Sequence, residues 1–285
     1  MRNVLENKLW FYAHVLSLDV CLGVLGSGAL AAIVTGAKMK TVWWFLLPLS
    51  VWVIYTLDHL LDGKKVGEDS INPRHKFHYD HSKVLTILCT IAAIISAVLA
   101  FLLLREIVLL GGVLLSALAI LHLGIARWGK IRFGKEFSVA LIYTLGVWFG
   151  PLLVVGFRSW TVPLLLFLFF LGTVLNLVMN SLMEAELDAK EGQVYLLGVL
   201  SPKLAKEWVL RLSLLGFLAA LVLAGGIRKW APGTSVSASL VIALICAVPG
   251  GILRYADKFQ DSQKYRILGE GVFILGLFPW FLNSF

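Results

Sequence analysis

Apolar stretches of bilayer length divide this chain, and they leave few folds open to it. An α-helix rises 1.5 Å per residue, so about twenty apolar residues cross the hydrocarbon core of a membrane. Nine such stretches can be marked, at residues 14–36, 41–62, 83–104, 106–127, 135–157, 161–187, 207–227, 235–254 and 264–283. Lipid offers backbone amides no hydrogen-bond partner, and segments of this length satisfy their own only as helices. The expected fold is therefore all-α: a polytopic membrane protein, a bundle of nine transmembrane helices around a central cavity. Composition agrees, with 59% hydrophobic residues, 15% charged residues and a mean hydropathy of +0.86. All three depart far from an ordinary soluble domain.

A single domain over residues 1–285 is expected, because no linker or low-complexity segment interrupts the pattern. Residues 3–8 are polar and no small-residue cleavage site follows a short apolar core, so the first span is expected to stay in place. Cys21, Cys89 and Cys246 all lie within apolar stretches and lack paired spacing. They read as packing residues rather than a disulfide framework.

The net charge of +8 is spread over many connecting segments, which argues against a nucleic-acid surface. It reports orientation instead, since Lys and Arg concentrate on the cytoplasmic side. With the N-terminus inside, the inner segments hold 18 Lys and Arg and the outer ones 6, leaving Arg211 within the seventh span. The expectation is an N-terminus in the cytoplasm, a C-terminus outside and residence in the cell inner membrane. The second and sixth spans then both end at the cytoplasmic face.

Each of those two ends carries acids at helical spacing. The second span closes with Asp58 and Asp62, one turn apart on one helix face. Two carboxylates so placed make a hard oxygen site suited to Mg²⁺, which takes one or two protein carboxylates plus substrate phosphates. The helix dipole disfavours anions at that end, so a compensating cation is expected. The sixth span carries Asn176, Asn180, Glu184 and Asp188, each four residues after the last. A polar stripe in a bilayer faces the protein interior or a water-filled hollow.

Two connecting segments supply cations. Residues 63–82 read as a polar loop with Lys64, Lys65, Arg74, His75, Lys76, His78 and His81. Arg74 is the preferred phosphate ligand there, because a guanidinium meets phosphate with two parallel hydrogen bonds. The loop after the fourth span holds Arg127, Lys130, Arg132 and Lys135, of which Lys130 and Arg132 are the preferred clamp.

An aspartate ladder ending the second span, a basic loop after the fourth and an acidic ladder ending the sixth resemble the UbiA superfamily of intramembrane prenyltransferases. The resemblance covers the whole chain, and residues 191–203 stand where that family has a short amphipathic segment. There are departures. Ile54 occupies the position of the family's first-motif asparagine, the second motif reads Asn180, Glu184, Asp188, and His122 and Ala126 replace a Tyr-xxx-Lys pair. The resemblance implies a divergent, Mg²⁺-dependent enzyme. Asp58, Asp62, Glu184 and Asp188 would be its catalytic metal ligands. Arg74, Lys130, Arg132, Asn176 and Asn180 would bind an isoprenyl diphosphate, and a hydrophobic or aromatic acceptor would take the prenyl group.

Other readings compete. A terpene cyclase would use the same ionisation without a separate acceptor. A transporter or lipid-binding protein would account for Asp19 and Glu270 inside spans. The spacing His75-x-x-His78-x-x-His81 invites a di-iron oxidase, although no second histidine box accompanies it.

Overall fold

The structure, a computed structural model, describes residues 8–127, 134–190, 201–230, 234–259 and 264–282. Its described residues are helical almost throughout. The helices are α1 (Lys8–Val15), α2 (Leu18–Thr35), α3 (Thr41–Val66), α4 (Pro73–Asp80), α5 (Ser82–Leu103), α6 (Glu106–Arg127), α7 (Lys135–Val155), α8 (Thr161–Lys190), α9 (Pro202–Trp230), α10 (Thr234–Arg254), α11 (Ala256–Phe259), α12 (Lys264–Ile274) and α13 (Leu277–Leu282). Eight of them are long and apolar enough to cross a membrane. The chain is an integral, multi-pass membrane protein.

Helix α2 sits at the centre and packs on α3, α7, α10, α12 and α13. Its sequence explains the position. Gly23, Gly26, Ser27, Gly28, Ala29, Ala31 and Ala32 are all buried, and small residues let helix backbones approach closely in a membrane. A Cβ added at Gly26 would lie 2.2 Å from the Phe273 carbonyl oxygen, and one at Gly276 would lie 2.1 Å from the Gly26 carbonyl oxygen. Around α2 the core fills with Trp148, Phe169, Leu165, Ile242, Ile245 and Cys246. At the periphery, α5 packs on α3 and α6 on α7. Their outer faces expose Val84, Ile87, Ile91, Leu110 and Val113, as a lipid-facing surface does.

Three boundaries differ from the sequence expectation. The first span, expected as one helix over residues 14–36, breaks at Ser17, whose backbone is left-handed (φ 55°, ψ 28°). For a non-glycine residue that conformation costs roughly 1–2 kcal/mol. It breaks the helix, and His14 meets Asp19 across the break. The ninth span, expected over 264–283, is two shorter helices separated at Leu275 and Gly276, where the backbone contact with Gly26 falls. The expected loop over 63–82 is mostly helical. Helix α3 runs on to Val66, a 3-10 turn covers Gly67–Asp69, and α4 follows. Helix α4 starts because the Asn72 side chain accepts a hydrogen bond from the Arg74 amide at 3.0 Å and Pro73 occupies the first helical position.

Candidate functional site

Helix α4 lies against the last turns of α3, at Gly63. A Cβ there would come within 2.8 Å of the His75 carbonyl oxygen, so only glycine allows this approach. The contact sets the α4 side chains over the α3 acids. Asp58 and Asp62 are both half-buried, and His75 Nε2 lies 4.0 Å from Asp62 Oδ2. His59, between the two acids on α3, is buried and accepts from Arg74 Nη1 at 3.3 Å.

Arg74 is the hub of the cluster. Its Nη2 lies 2.6 Å from His14 Nε2, and its backbone carbonyl accepts from His78 Nδ1 at 2.9 Å. Burial and the nearby Arg266 guanidinium press the Arg74 pKa down, against the opposite pull of Glu270, Glu184 and Asp19. Burial also pushes His78 down to about 4, which leaves that imidazole neutral. Among the described residues the guanidinium is bonded to imidazoles rather than to a carboxylate.

The acids of α8 meet a different cation. Both oxygens of Glu184 accept from the Arg266 guanidinium, and the Tyr265 hydroxyl donates to Glu184 Oε1 at 2.7 Å. Arg266 Nη1 also reaches Glu270 Oε1 at 3.3 Å. Asn176 and Asn180, on the same stripe of α8, are buried, and among the described residues their side-chain oxygens lack a hydrogen-bond partner. Asp188 lies on α8 one turn beyond Glu184, but its side chain is outside the described residues. So are Lys130, Arg132 and the segment 191–200.

Sequence reasoning gave no site role to His14, Asp19, His59, Tyr265, Arg266 or Glu270. Their signal was polarity inside or beside an apolar stretch, which marks burial without naming a partner. The histidine triplet does not converge as a metal box would. His78 and His81 each use Nδ1 on the carbonyl four residues earlier, and the His81 ring stacks on Phe77 at 4.4 Å.

Among solved structures, the apo structure of a UbiA homolog from Aeropyrum pernix K1 is similar to this chain, with a TM-score of 0.64 and 18% identity over 93% of this chain and 98% of that one. The chain has the UbiA fold. No protein-family model matches the sequence, and no curated protein does. The likeness thus resides in helix arrangement, while most side chains have diverged.

Magnesium, which the UbiA resemblance implies, fits part of the expected ligand set. Asp58 and Asp62 suit it: two half-buried carboxylates one turn apart, with an imidazole beside one of them. Glu184 does not, because a guanidinium already fills the place of a cation on both of its oxygens. In this structure Glu184 makes an internal ion pair with Arg266. His14, Asp19 and Glu270 also bring ligating atoms within 4.8 Å of one another. The Arg74 charge on His14 Nε2 makes that a poor seat for a divalent ion.

Proposed function

We propose that this protein is an intramembrane prenyltransferase that ionises an isoprenyl diphosphate and passes the prenyl group to a hydrophobic or aromatic acceptor. The observation that carries this reading is the packing of α4 on α3. Arg74 bonds to His59, the residue next to Asp58, and His75, the residue next to Arg74, lies 4.0 Å from Asp62. A guanidinium that, among the described residues, is bonded to imidazoles thus shares one helix–helix junction with a pair of carboxylates. That combination suits a diphosphate and its counter-ion.

In this reading Asp58 and Asp62, with Asp188, hold magnesium. When bound, the metal supplies positive charge against the leaving diphosphate. Arg74 donates N–H bonds to the diphosphate oxygens, and Lys130 and Arg132 complete the clamp. Asn176 and Asn180 orient the substrate from α8. The allylic C–O bond breaks with its electron pair going to the diphosphate. The carbocation is captured by the acceptor, which then loses a proton. Apolar helix walls keep water from the cation. The site opens to the cytoplasm.

The test is direct. Membranes containing the protein are incubated with geranyl, farnesyl or geranylgeranyl diphosphate, and Mg²⁺-dependent release of diphosphate is measured. Release that stops on chelation is expected; none with any of the three substrates, with acceptors supplied, would sink the reading. Product analysis then separates transfer, which needs an added acceptor, from cyclisation, which does not.

A further inference from the structure

Asp19 and His14 belong to neither acidic ladder and to no basic loop, yet both are buried, His14 against Arg74 and Asp19 against His14. A guanidinium carries only donors. An imidazole nitrogen 2.6 Å from Arg74 Nη2 must therefore accept, so His14 Nε2 is bare and the proton sits on Nδ1. That Nδ1–H donates to Asp19 Oδ2 at 2.6 Å. Asp19 is itself held, since its Oδ1 accepts from the Val20 amide at 2.9 Å in the first turn of α2. An anion is favoured there by the helix dipole. The left-handed Ser17 lies between the two residues and breaks the helix there.

The partners of Arg74 matter as much as their distances. A carboxylate in van der Waals contact would cancel the arginine's charge. His14 Nε2 and His59 Nε2 orient the guanidinium from two sides without cancelling it. Among the described residues, two of its five N–H donors are used in this way. Glu270, Glu184 and Asp19 act on it through their charge.

We infer that Asp19 and His14 are positioning residues for Arg74: the carboxylate fixes the imidazole tautomer, and the imidazole holds the guanidinium charged and turned toward a diphosphate. This rests on the reading that this end of the bundle binds a diphosphate. Neither residue touches the ligand; both act through Arg74.

The experiment measures binding of inorganic diphosphate to the purified full-length protein in detergent, by calorimetry, with KM and kcat for a prenyl diphosphate alongside. Arg74→Gln is the reference, and is expected to weaken inorganic diphosphate binding about tenfold or more. His14→Leu is expected to match it, mainly by raising KM. His14→Gln is expected to recover binding to within about threefold of wild type, because its amide oxygen can accept from Arg74 while its NH₂ donates to Asp19. The double variant His14→Leu/Arg74→Gln is expected to bind no more weakly than Arg74→Gln alone, as required of a residue that works through Arg74. Wild-type affinity in His14→Leu overturns the inference, and so does a further loss in the double variant. If Arg74→Gln weakens binding while His14→Leu does not, only this inference falls. If wild type fails to bind inorganic diphosphate, the diphosphate reading of the site falls with it.

Discussion

The guanidinium of Arg266 grips both carboxylate oxygens of Glu184, joining α12 to α8 across 82 residues of sequence. Neither side chain is more than 15% exposed. The pair is further tied by Tyr265 on Glu184 and by Glu270 on Arg266.

Removing one partner of such a pair strands the other's charge in a low-dielectric interior. Arg266→Leu is therefore expected to destabilise the protein by about 3–5 kcal/mol. The double variant Arg266→Leu/Glu184→Leu should regain much of that loss, since no orphaned carboxylate remains on α8. Thermal unfolding in detergent, compared across the two single variants and the double, measures the coupling.

Asp58→Ala and Asp62→Ala should each lower diphosphate release by about 100-fold or more, and Asp188→Ala should do the same. All three should insert and fold normally. Lys38→Ala, an exposed residue in the segment between α2 and α3, should leave turnover unchanged. Wild-type rates in Asp62→Ala would remove the metal site from the mechanism.

Gly63→Ala tests whether the α3–α4 junction matters as such. The added methyl meets backbone rather than a flexible side chain, the His75 carbonyl oxygen at 2.8 Å and the Tyr79 nitrogen at 3.1 Å. Helix α4 has to shift, and Arg74 shifts with it. The expected result is a loss of about tenfold or more in kcat/KM, since small misplacements of positioning groups cost that much. The bundle core is distant from this contact, so thermal stability should fall far less than in Arg266→Leu.

Orientation is testable with reporters. A C-terminal alkaline phosphatase fusion should be active and a C-terminal fluorescent-protein fusion dark, because the Lys and Arg asymmetry predicts a C-terminus outside. A bright C-terminal fluorescent protein would reverse the membrane side proposed for the site.

Local features of the site were legible in advance. Asp58 and Asp62 share a face because a helix repeats every 3.6 residues, and the Asn176, Asn180, Glu184 stripe follows from the same period. Arg74 stood out as the arginine next to those acids. Residues 63–82 were misread, since they lack an apolar period; Asn72, Pro73 and packing on Gly63 make α4 a helix all the same. Glu184 was read as a metal ligand because its nearest acids in sequence are visible and its arginine is not. Asp19 and Glu270 registered only as polar residues in greasy surroundings.

Hydropathy by itself determined that this chain crosses a membrane many times as helices, because a bilayer forbids almost every other backbone arrangement. It also set where acids cluster along each helix, which is a matter of local geometry. Tertiary structure alone decided which polar groups meet. Arg266 on Glu184 and His14 on Arg74 are contacts between helices far apart in the chain. Such contacts depend on which backbones can approach, and here that was settled by glycines at Gly26, Gly63 and Gly276, and by a left-handed turn at Ser17.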